Sequence, residues 1–183
     1  MTVTPTALEG VLIVEPRVFR DDRGWFLESW NQAAFTAAGL DLDFVQDNHS
    51  RSAKGVVRGI HYQDMTAPMD KLVRCTAGAV FDVAVDLRAG SRTFGQWVAV
   101  ELTAENAKQL WVPAGFGHGF QALTEGAEVQ YKCTAPYAPQ AEGAIRWDDP
   151  DLAIAWPIAA ALVSPKDATA PSFAAYRRQP AFA

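Results

Sequence analysis

The histidines are the first residues of this sequence to consider for chemistry, and His61 is the most informative of the three. It lies in Gly55–Gln63, a stretch whose other residues are typical of a β-strand. A histidine in such a place could bind a metal, transfer a proton or be hydrogen-bonded within a core. The side chains that accompany it decide between these roles.

The first possibility is a metal centre, and the sequence offers few ligands for one. Jelly-roll proteins of the cupin type often bind a metal through a His-x-His pair, a following Glu and a later His. Here Gln63 takes the second position of the pair, and the next acidic residues are Asp64 and Asp70. With His118 as the one later histidine, the ligand set is thin for a first-row transition metal. We predict no metal site.

Proton transfer is the second possibility, and two other reactive side chains support it. Alternation along a strand places Lys71 on the same face as Val73, and Tyr131 on the same face as Val129, so both are predicted to point inward with His61. An imidazole can remove a proton near neutral pH, an ammonium can stabilise an enolate oxygen, and a phenol can return a proton to the opposite face. Together they could invert a carbon next to a carbonyl group. The third possibility, a hydrogen-bonded core histidine, stays open at this point.

The elements that must position these residues are mostly short strands. Strand-like runs recur every ten to fifteen residues, separated by Gly- and Pro-containing turns, and we predict an all-β jelly roll with a few short helices. Val11–Phe19 and Gly24–Trp30 are predicted strands, and Asn31–Leu40 is a predicted helix that begins at a capping Asn. Residues 1–183 are predicted to form one domain, whose tail from about Arg146 wraps the barrel.

Composition narrows the class of protein further. The net charge of −5 argues against a nucleic-acid partner, which needs many Lys and Arg side chains to neutralise phosphates. No apolar run approaches the ~20 residues of a membrane-spanning helix, and the first residues do not resemble a signal peptide. Cys75 and Cys133 lack any CxxC spacing, so we expect buried free thiols in a reducing cytoplasm.

With these residues in view, the sequence resembles the dTDP-4-dehydrorhamnose 3,5-epimerases from about Leu12 to Phe173. The resemblance depends on the order and spacing of several stretches rather than on one motif. Among them are FRDDRGWFLESW, GVVRGIHYQ, AEVQYKC and SPKD. It implies a homodimer of cupin-type double-stranded β-helices (jelly rolls), with no metal or redox cofactor. The implied reaction inverts C3 and C5 of dTDP-4-dehydro-6-deoxy-D-glucose and gives dTDP-4-dehydro-L-rhamnose, in dTDP-L-rhamnose biosynthesis.

The resemblance also implies a role for individual residues. His61 matches the proton acceptor, Asp167 its carboxylate partner, Tyr131 the proton donor and Lys71 the lysine near the C4 oxygen. Tyr137 matches an aromatic residue that stacks on the thymine ring. The other matches to substrate-contacting positions are Arg23, Glu28, Gln46, Asn48, Arg58, His118, Glu142 and Lys166.

Several points stay open from the sequence. Strict alternation puts Arg58 on the face opposite His61, and a bulge at Gly59 would turn both towards one ligand. For Asp82 and Asp86 we expect structural bridges to arginines, although one of them could orient Lys71 or His118. Many relatives have Gln two residues before the lysine or just ahead of it, where this chain has PMDK, so the sequence leaves the local substrate contacts open there. Two alternatives to the double epimerase are a single-site epimerase of a related deoxysugar and a non-catalytic cupin that binds a nucleotide sugar.

Overall fold

Strands make up most of the regular structure, and the helices are short. The structure is a computed structural model that describes residues 1–159 and 161–183. In chain order its elements are β1 (Thr2–Pro5), β2 (Leu12–Glu15), β3 (Val18–Asp21), β4 (Gly24–Leu27), α1 (Gln32–Ala37), β5 (Gln46–Ser52), β6 (Val57–Gln63), β7 (Lys71–Ala77), β8 (Ala79–Asp86), β9 (Trp97–Thr103), β10 (Gln109–Val112), β11 (Phe116–Ala122), β12 (Ala127–Cys133), β13 (Glu142–Ala144), α2 (Pro165–Ala168) and α3 (Phe173–Tyr176).

Two antiparallel sheets form the body of the fold. The six-stranded sheet has the order β1-β2-β10-β7-β12-β5, and the five-stranded sheet has the order β13-β6-β11-β8-β9. Their inner faces share one apolar core, in which Val73 and Val129 of the first sheet pack with Ala84, Leu102 and Phe120 of the second. The predicted all-β jelly roll with short helices is confirmed.

Strand β12 illustrates how alternation sorts the side chains. Ala127, Val129 and Cys133 are buried, and Tyr131 packs partly buried against the same core. A shift of the strand by one residue would move this whole set to the outer face, so the apolar pattern fixes the register. The prediction that Tyr131 points inward is therefore confirmed.

Strand β6 contains the β-bulge expected from its glycine. His61 pairs with His118 and Arg58 pairs with Phe120, so β6 has one residue more than β11 between these two pairs. Gly59 has φ +121°, and a Cβ atom there would lie 2.6 Å from the Gly119 Cα atom. Glycine is required at this position by both backbone conformation and close approach of the neighbouring strand.

The N-terminal region differs from the sequence prediction in both of its strands, since the strand predicted over Gly24–Trp30 ends at Leu27. The single strand predicted over Val11–Phe19 is two strands, β2 and β3, which Pro16 separates because proline has no N–H group for a sheet ladder. Strands β3 and β4 form a two-stranded hairpin outside both sheets. Helix α1 follows it and begins as predicted at Asn31, whose side chain accepts a hydrogen bond from the Ala34 N–H group.

The C-terminal tail packs beside the five-stranded sheet. Ile145 and Ile60 exchange two backbone hydrogen bonds at the start of this tail. Further along, Phe173, Tyr176 and Phe182 join an apolar cluster with Ile60 and with residues of β8. Between these anchors the tail forms α2, which carries Asp167. In the described part of the chain, no helix is both long and apolar enough to cross a membrane.

Candidate active site

A cavity of about 440 Å³ is bounded by both sheets and by the C-terminal tail. Its polar wall residues come from three directions. The six-stranded sheet contributes Lys71 and Tyr131, the five-stranded sheet contributes His61 and His118, and the tail contributes Asp167. The reactive groups that the sequence singled out therefore face one another across the space between the sheets.

His61 and Asp167 form a short hydrogen-bonded pair. The His61 Nε2 atom lies 2.5 Å from the Asp167 Oδ1 atom, and the side chains are 31% and 5% exposed. The other carboxylate oxygen of Asp167 accepts a hydrogen bond from the Ser164 hydroxyl group at 3.0 Å. Burial acts to raise the pKa of Asp167, but these hydrogen bonds and the nearby His61 and Lys166 side chains bring it below its usual value. The carboxylate is therefore ionised and can hold the imidazole by Nε2, which leaves Nδ1 for proton transfer.

A second histidine–carboxylate pair lies on the adjacent strands. His118 is directly opposite His61 in the sheet, and its Nε2 atom lies 3.0 and 3.1 Å from the two carboxylate oxygens of Asp82. Both side chains are buried. The expected arginine bridge is wrong for Asp82, because His118 is its partner. It is confirmed for Asp86, whose carboxylate pairs with Arg88 at 2.8 Å.

Lys71 and Tyr131 form the facing wall. The Lys71 Nζ atom lies 5.9 Å from the centroid of the Tyr131 ring. Burial lowers the pKa of the Lys71 ammonium group, and Cys133, Asp82 and Glu142 counteract part of this effect. Burial raises the pKa of the Tyr131 phenol, and Asn48 and Arg58 offset only part of this increase. At neutral pH the phenol therefore keeps its proton and is able to donate it.

At one side of the cavity a polar network joins five of the predicted substrate-contacting residues. Glu142 Oε2 accepts hydrogen bonds from Lys166 at 2.6 Å and from the Tyr137 hydroxyl group at 2.7 Å. Burial acts to raise the pKa of Glu142, yet these two bonds bring it below its usual value. The Tyr137 N–H group donates to Gln46 at 2.9 Å, and the Gln46 amide donates to Asn48 at 3.1 Å. The ring of Tyr137 is exposed.

Arg58 reaches the same cavity as His61 because of the bulge in β6. Its Nε atom donates to the Ser52 hydroxyl group at 3.1 Å, and a terminal nitrogen donates to the Arg51 carbonyl group. The question left open by strict alternation is thus answered by the geometry. A guanidinium group held in this way can bind the oxygens of a phosphate.

Comparison with known proteins identifies the family. A family model described as dTDP-4-dehydrorhamnose 3,5-epimerase matches residues 5–175. The chain belongs to the dTDP-4-dehydrorhamnose 3,5-epimerase family. The family and isomerase class implied by the sequence resemblance are therefore confirmed.

Individual epimerases of the family are similar over almost the whole chain. The dTDP-4-dehydrorhamnose 3,5-epimerase of Pseudomonas aeruginosa is 57% identical over 176 residues, which cover 95% of this chain and 97% of that protein. The enzyme of Escherichia coli is 56% identical over 91% of each chain. Among solved structures, a dTDP-6-deoxy-D-glucose-3,5-epimerase from Legionella pneumophila in complex with dTDP-4-keto-L-rhamnose is 48% identical. It superposes with a TM-score of 0.89 over 93% of this chain and 92% of that one.

Of the nine predicted substrate-contacting residues, Arg58, His118 and Lys166 line the cavity, and four more are joined to Lys166 by the polar network. The other two belong to neither group. Arg23 lies in the turn of the β3–β4 hairpin and pairs with Asp21 at 2.6 Å. Glu28 follows β4 and is exposed. Neither residue lines the cavity that contains His61.

Sequence reasoning missed some residues of the epimerase site. Ser50 lines the cavity, and it lies on the inward face of β5 that also carries Gln46 and Asn48, so alternation was a usable signal. Ser164 supports Asp167 as the cap of α2, a role that the motif SPKD indicates. At PMDK, where this chain differs from many relatives, Asp70 has a structural role. The Asp70 carboxylate accepts hydrogen bonds from the Ala114 N–H group at 2.7 Å and the Thr134 hydroxyl group at 2.9 Å.

Proposed function

We propose that this chain epimerises dTDP-4-dehydro-6-deoxy-D-glucose at C3 and C5 and forms dTDP-4-dehydro-L-rhamnose, as the enzymes of its family are named to do. One observation carries the proposal at the level of residues. The His61–Asp167 pair and the Tyr131 phenol line one cavity from opposite sheets. A sugar ring between them would have a base on one face and an acid on the other, which inversion of a carbon centre requires.

His61 is the proposed base. The C4 ketone of the substrate acidifies the hydrogens at C3 and C5, because the carbanion formed there is an enolate. With Nε2 bonded to Asp167, Nδ1 of His61 accepts the proton. The buried Asp167 carboxylate then stabilises the imidazolium that forms, and a well-placed base of this kind contributes roughly 10²–10⁴-fold to the rate.

Lys71 and Tyr131 complete the proposed reaction. The Lys71 ammonium group lines the cavity and stabilises the negative charge that develops on the C4 oxygen. Tyr131 then donates its proton to the carbon from the other side. The raised pKa of this phenol supports the assignment, because a phenolate would have no proton to give. Proton exchange with water returns His61 to the neutral imidazole and Tyr131 to the phenol, and the same steps at the second carbon then complete the double inversion.

The remaining predicted residues are proposed to anchor the nucleotide. Arg58 and His118 line the cavity and suit the diphosphate, and the exposed ring of Tyr137 suits stacking on thymine. Lys166, Glu142, Gln46 and Asn48 hold the surrounding network in place. Binding energy from these remote groups is converted into orientation of the sugar at the reacting carbons.

A homodimer is part of the proposal and explains the position of Arg23 and Glu28. Both residues lie outside the cavity of their own chain, next to a hairpin whose aromatic residues face solvent. Trp25 is 58% exposed and Phe26 is 67% exposed. We propose that this hairpin packs against a second copy of the chain and brings Arg23 and Glu28 to the partner's cavity. Apolar side chains exposed together in this way are typical of an interface.

We also propose a cytoplasmic location. Cys75 and Cys133 lie on two strands of the six-stranded sheet, and both are buried free thiols. Free thiols suit a reducing compartment. Fractionation of cells that express the native protein would test the location, and recovery in the periplasmic fraction would contradict it.

The proposal is tested by running the reaction in deuterium oxide and locating the label by NMR. We expect deuterium at both C3 and C5 of the sugar. Label at one carbon alone would indicate a single-site epimerase, and tight binding of the nucleotide sugar without any exchange would indicate a non-catalytic binding protein.

His61→Ala tests the assignment of the base. The variant should lose nearly all turnover and exchange while it still binds dTDP, because the nucleotide contacts are made by other residues. His49→Ala is the matched control, since His49 is exposed and pairs with Glu128 on the surface. A folded His61→Ala variant that no longer binds dTDP would contradict this division of roles.

A further inference from the structure

The buried side chain of Gln63 takes no part in the reaction steps or the nucleotide contacts described above. Gln63 follows His61 by two residues on β6 and is 6% exposed, but it does not line the cavity. Strand β13 pairs with β6 so that Glu142 lies opposite Gln63. A buried amide is costly unless both of its ends are hydrogen-bonded, so its partners indicate what it does.

Both ends of the Gln63 amide are hydrogen-bonded to backbone groups of two loops. The Oε1 atom accepts a hydrogen bond from the Ala138 N–H group at 2.7 Å. The Nε2 atom donates to the Ala67 carbonyl group at 2.9 Å and, over a longer distance of 3.4 Å, to the Pro136 carbonyl group. This orientation of the amide matches a donor to each carbonyl group and an acceptor to the N–H group. Both hydrogens and the oxygen of the amide therefore have protein partners.

Two of these bonds hold the loop that carries Tyr137. They reach the residues directly before and directly after Tyr137 in the chain. The Tyr137 N–H group itself donates to Gln46, and its hydroxyl group donates at 2.7 Å to Glu142, the residue opposite Gln63. The backbone of this loop and the far end of its ring are thus both held by the paired strands β6 and β13.

An exposed aromatic ring needs such support if it is to be in place before a flat ligand arrives. Tyr137 is 52% exposed, so little packing restrains its ring. Pro136 and Pro139 limit the backbone φ angle at two positions of the loop, and the hydrogen bonds restrain the positions between them. A ring that is already held in its binding orientation loses less entropy when a base stacks on it, so the base binds more tightly.

We propose that Gln63 is a positioning residue of the nucleotide site, whose buried amide fixes the loop around Tyr137 and so presets the ring for stacking on the base. The inference rests on the proposed stacking role of Tyr137. It adds a residue that does not touch the substrate and acts on the base through the loop. Its effect is measured by binding of the nucleotide alone, so it can fail while the proposed reaction stands.

Gln63→Met is the test, because the side chain keeps its approximate size and loses the amide. We expect dTDP to bind about two- to tenfold more weakly by titration calorimetry, the range that contact with one aromatic ring can supply. Pyrophosphate, which has no base to stack, should inhibit turnover as strongly as it does in the wild type. Unchanged dTDP binding in the folded variant, or an equal weakening of pyrophosphate, would overturn the proposal.

The same substitution in a Tyr137→Ala background shows whether Gln63 acts through the ring. Tyr137→Ala alone should weaken dTDP binding by roughly tenfold, and Gln63→Met should then add almost nothing, because the two residues serve one contact. Additive losses, or normal dTDP binding by Tyr137→Ala, would overturn the proposal. Deuterium exchange into saturating substrate should continue in Gln63→Met, and its loss there would overturn the proposal as well. The proposed function is judged separately, by exchange in the wild-type protein.

Gln121→Met is the matched control. Gln121 is fully buried on β11 and also holds a loop by both ends of its amide, since it donates to the Ile158 carbonyl group at 2.8 Å and accepts from the Ile158 N–H group at 2.9 Å. It does not line the cavity. This variant should lower the unfolding temperature and leave dTDP binding as it is. Equal weakening of dTDP binding in both variants would mean a general loss of structure and would overturn the proposal.

If Gln63→Met does not fold, hydrogen exchange in the unmodified protein provides a second measurement. Ala138 lies between the exposed residues Tyr137 and Pro139. Its N–H group should nevertheless exchange slowly without nucleotide, because the buried oxygen of Gln63 accepts from it, and added dTDP should change this rate little. An Ala138 N–H group that exchanges freely until dTDP binds would mean that the ligand orders the loop, and would overturn the proposal.

Discussion

At the scale of residues, the proposed chemistry depends on groups of opposite function placed on opposite walls. Tyr131 is on the six-stranded sheet, and His61 is on the five-stranded sheet. Their environments also differ, since burial raises the pKa of the phenol whereas an ionised carboxylate holds the imidazole. The phenol therefore keeps the proton that its proposed step requires, and the carboxylate is charged and can stabilise an imidazolium.

Tyr131→Phe should separate removal of a proton from inversion. His61 in this variant still takes the proton and can return it to the same face, so we expect exchange with deuterium oxide to continue while product formation falls by roughly 10²–10⁴-fold. Analysis of substrate and product by NMR would measure both. Tyr62→Phe is the control, because Tyr62 packs against Tyr176 and Phe182 and is expected to leave turnover nearly unchanged. Loss of exchange together with inversion would contradict the role of Tyr131 as acid.

The sequence predicted single residues well where a strand pattern determined their direction. The inward positions of Tyr131 and Lys71 follow from alternation with apolar neighbours. The sequence did not show which residue Asp82 contacts. The candidates Lys71 and His118 lie on other strands, and only the register of β8 against β11 places Asp82 next to His118. Long-range register is a property of the assembled sheets rather than of any one segment.

At the scale of elements, bulges and connections decide which side chains reach the site. The bulge at Gly59 brings Arg58 and His61 to one cavity, and glycine is a local signal for such a bulge. The break between β2 and β3 also has a local cause in Pro16, although the apolar residues on both sides of it favoured one continuous strand. The hairpin β3–β4 could be predicted as an element, but its position outside both sheets could not.

The connection between β8 and β9 is held by a cluster around Asp86. Its carboxylate bonds Arg88, and the Ser91 and Thr93 hydroxyl groups each donate to it at 2.6 Å. Although burial alone would raise the pKa of Asp86, these bonds lower it to about 2. The folded protein therefore binds this proton more weakly than the unfolded chain does.

We expect this cluster to make stability depend on pH in a defined window. The folded pKa is depressed, so the contribution of Asp86, about 2 kcal/mol, is present above pH 4 and is lost as the pH falls from about 4 to about 2. Unfolding by urea across this range should show wild type and Asp86→Asn differing at neutral pH and converging in acid. A difference that stays constant down to pH 3 would contradict the assignment.

At the scale of the whole molecule, the proposed dimer makes each site depend on two chains. If Arg23 serves the partner's cavity, a dimer of one Arg23→Ala chain and one His61→Ala chain has one complete site. Random mixing gives half mixed dimers, so activity should recover to about a quarter of the wild-type value. A mixture that stays as inactive as its components would contradict the shared site.

Mixing His61→Ala with Tyr131→Phe is the control for that experiment. Both residues line the cavity of their own chain, so every site in the mixture lacks either the His61 imidazole or the Tyr131 hydroxyl group. No recovery of activity is expected. Recovery there would mean that the cavity itself is assembled from two chains. Sedimentation of the wild-type protein would give the number of chains independently.

Asp167 follows His61 by 106 residues and lies beyond β13, the last strand of the two sheets. A ribosome can therefore complete both sheets before the partner of the imidazole exists. During synthesis the growing polypeptide holds an unsupported histidine, and full reactivity begins only once the closing segment has been translated and has docked. Loss of the segment after β13 to a protease would have the same result as removing the carboxylate by mutation.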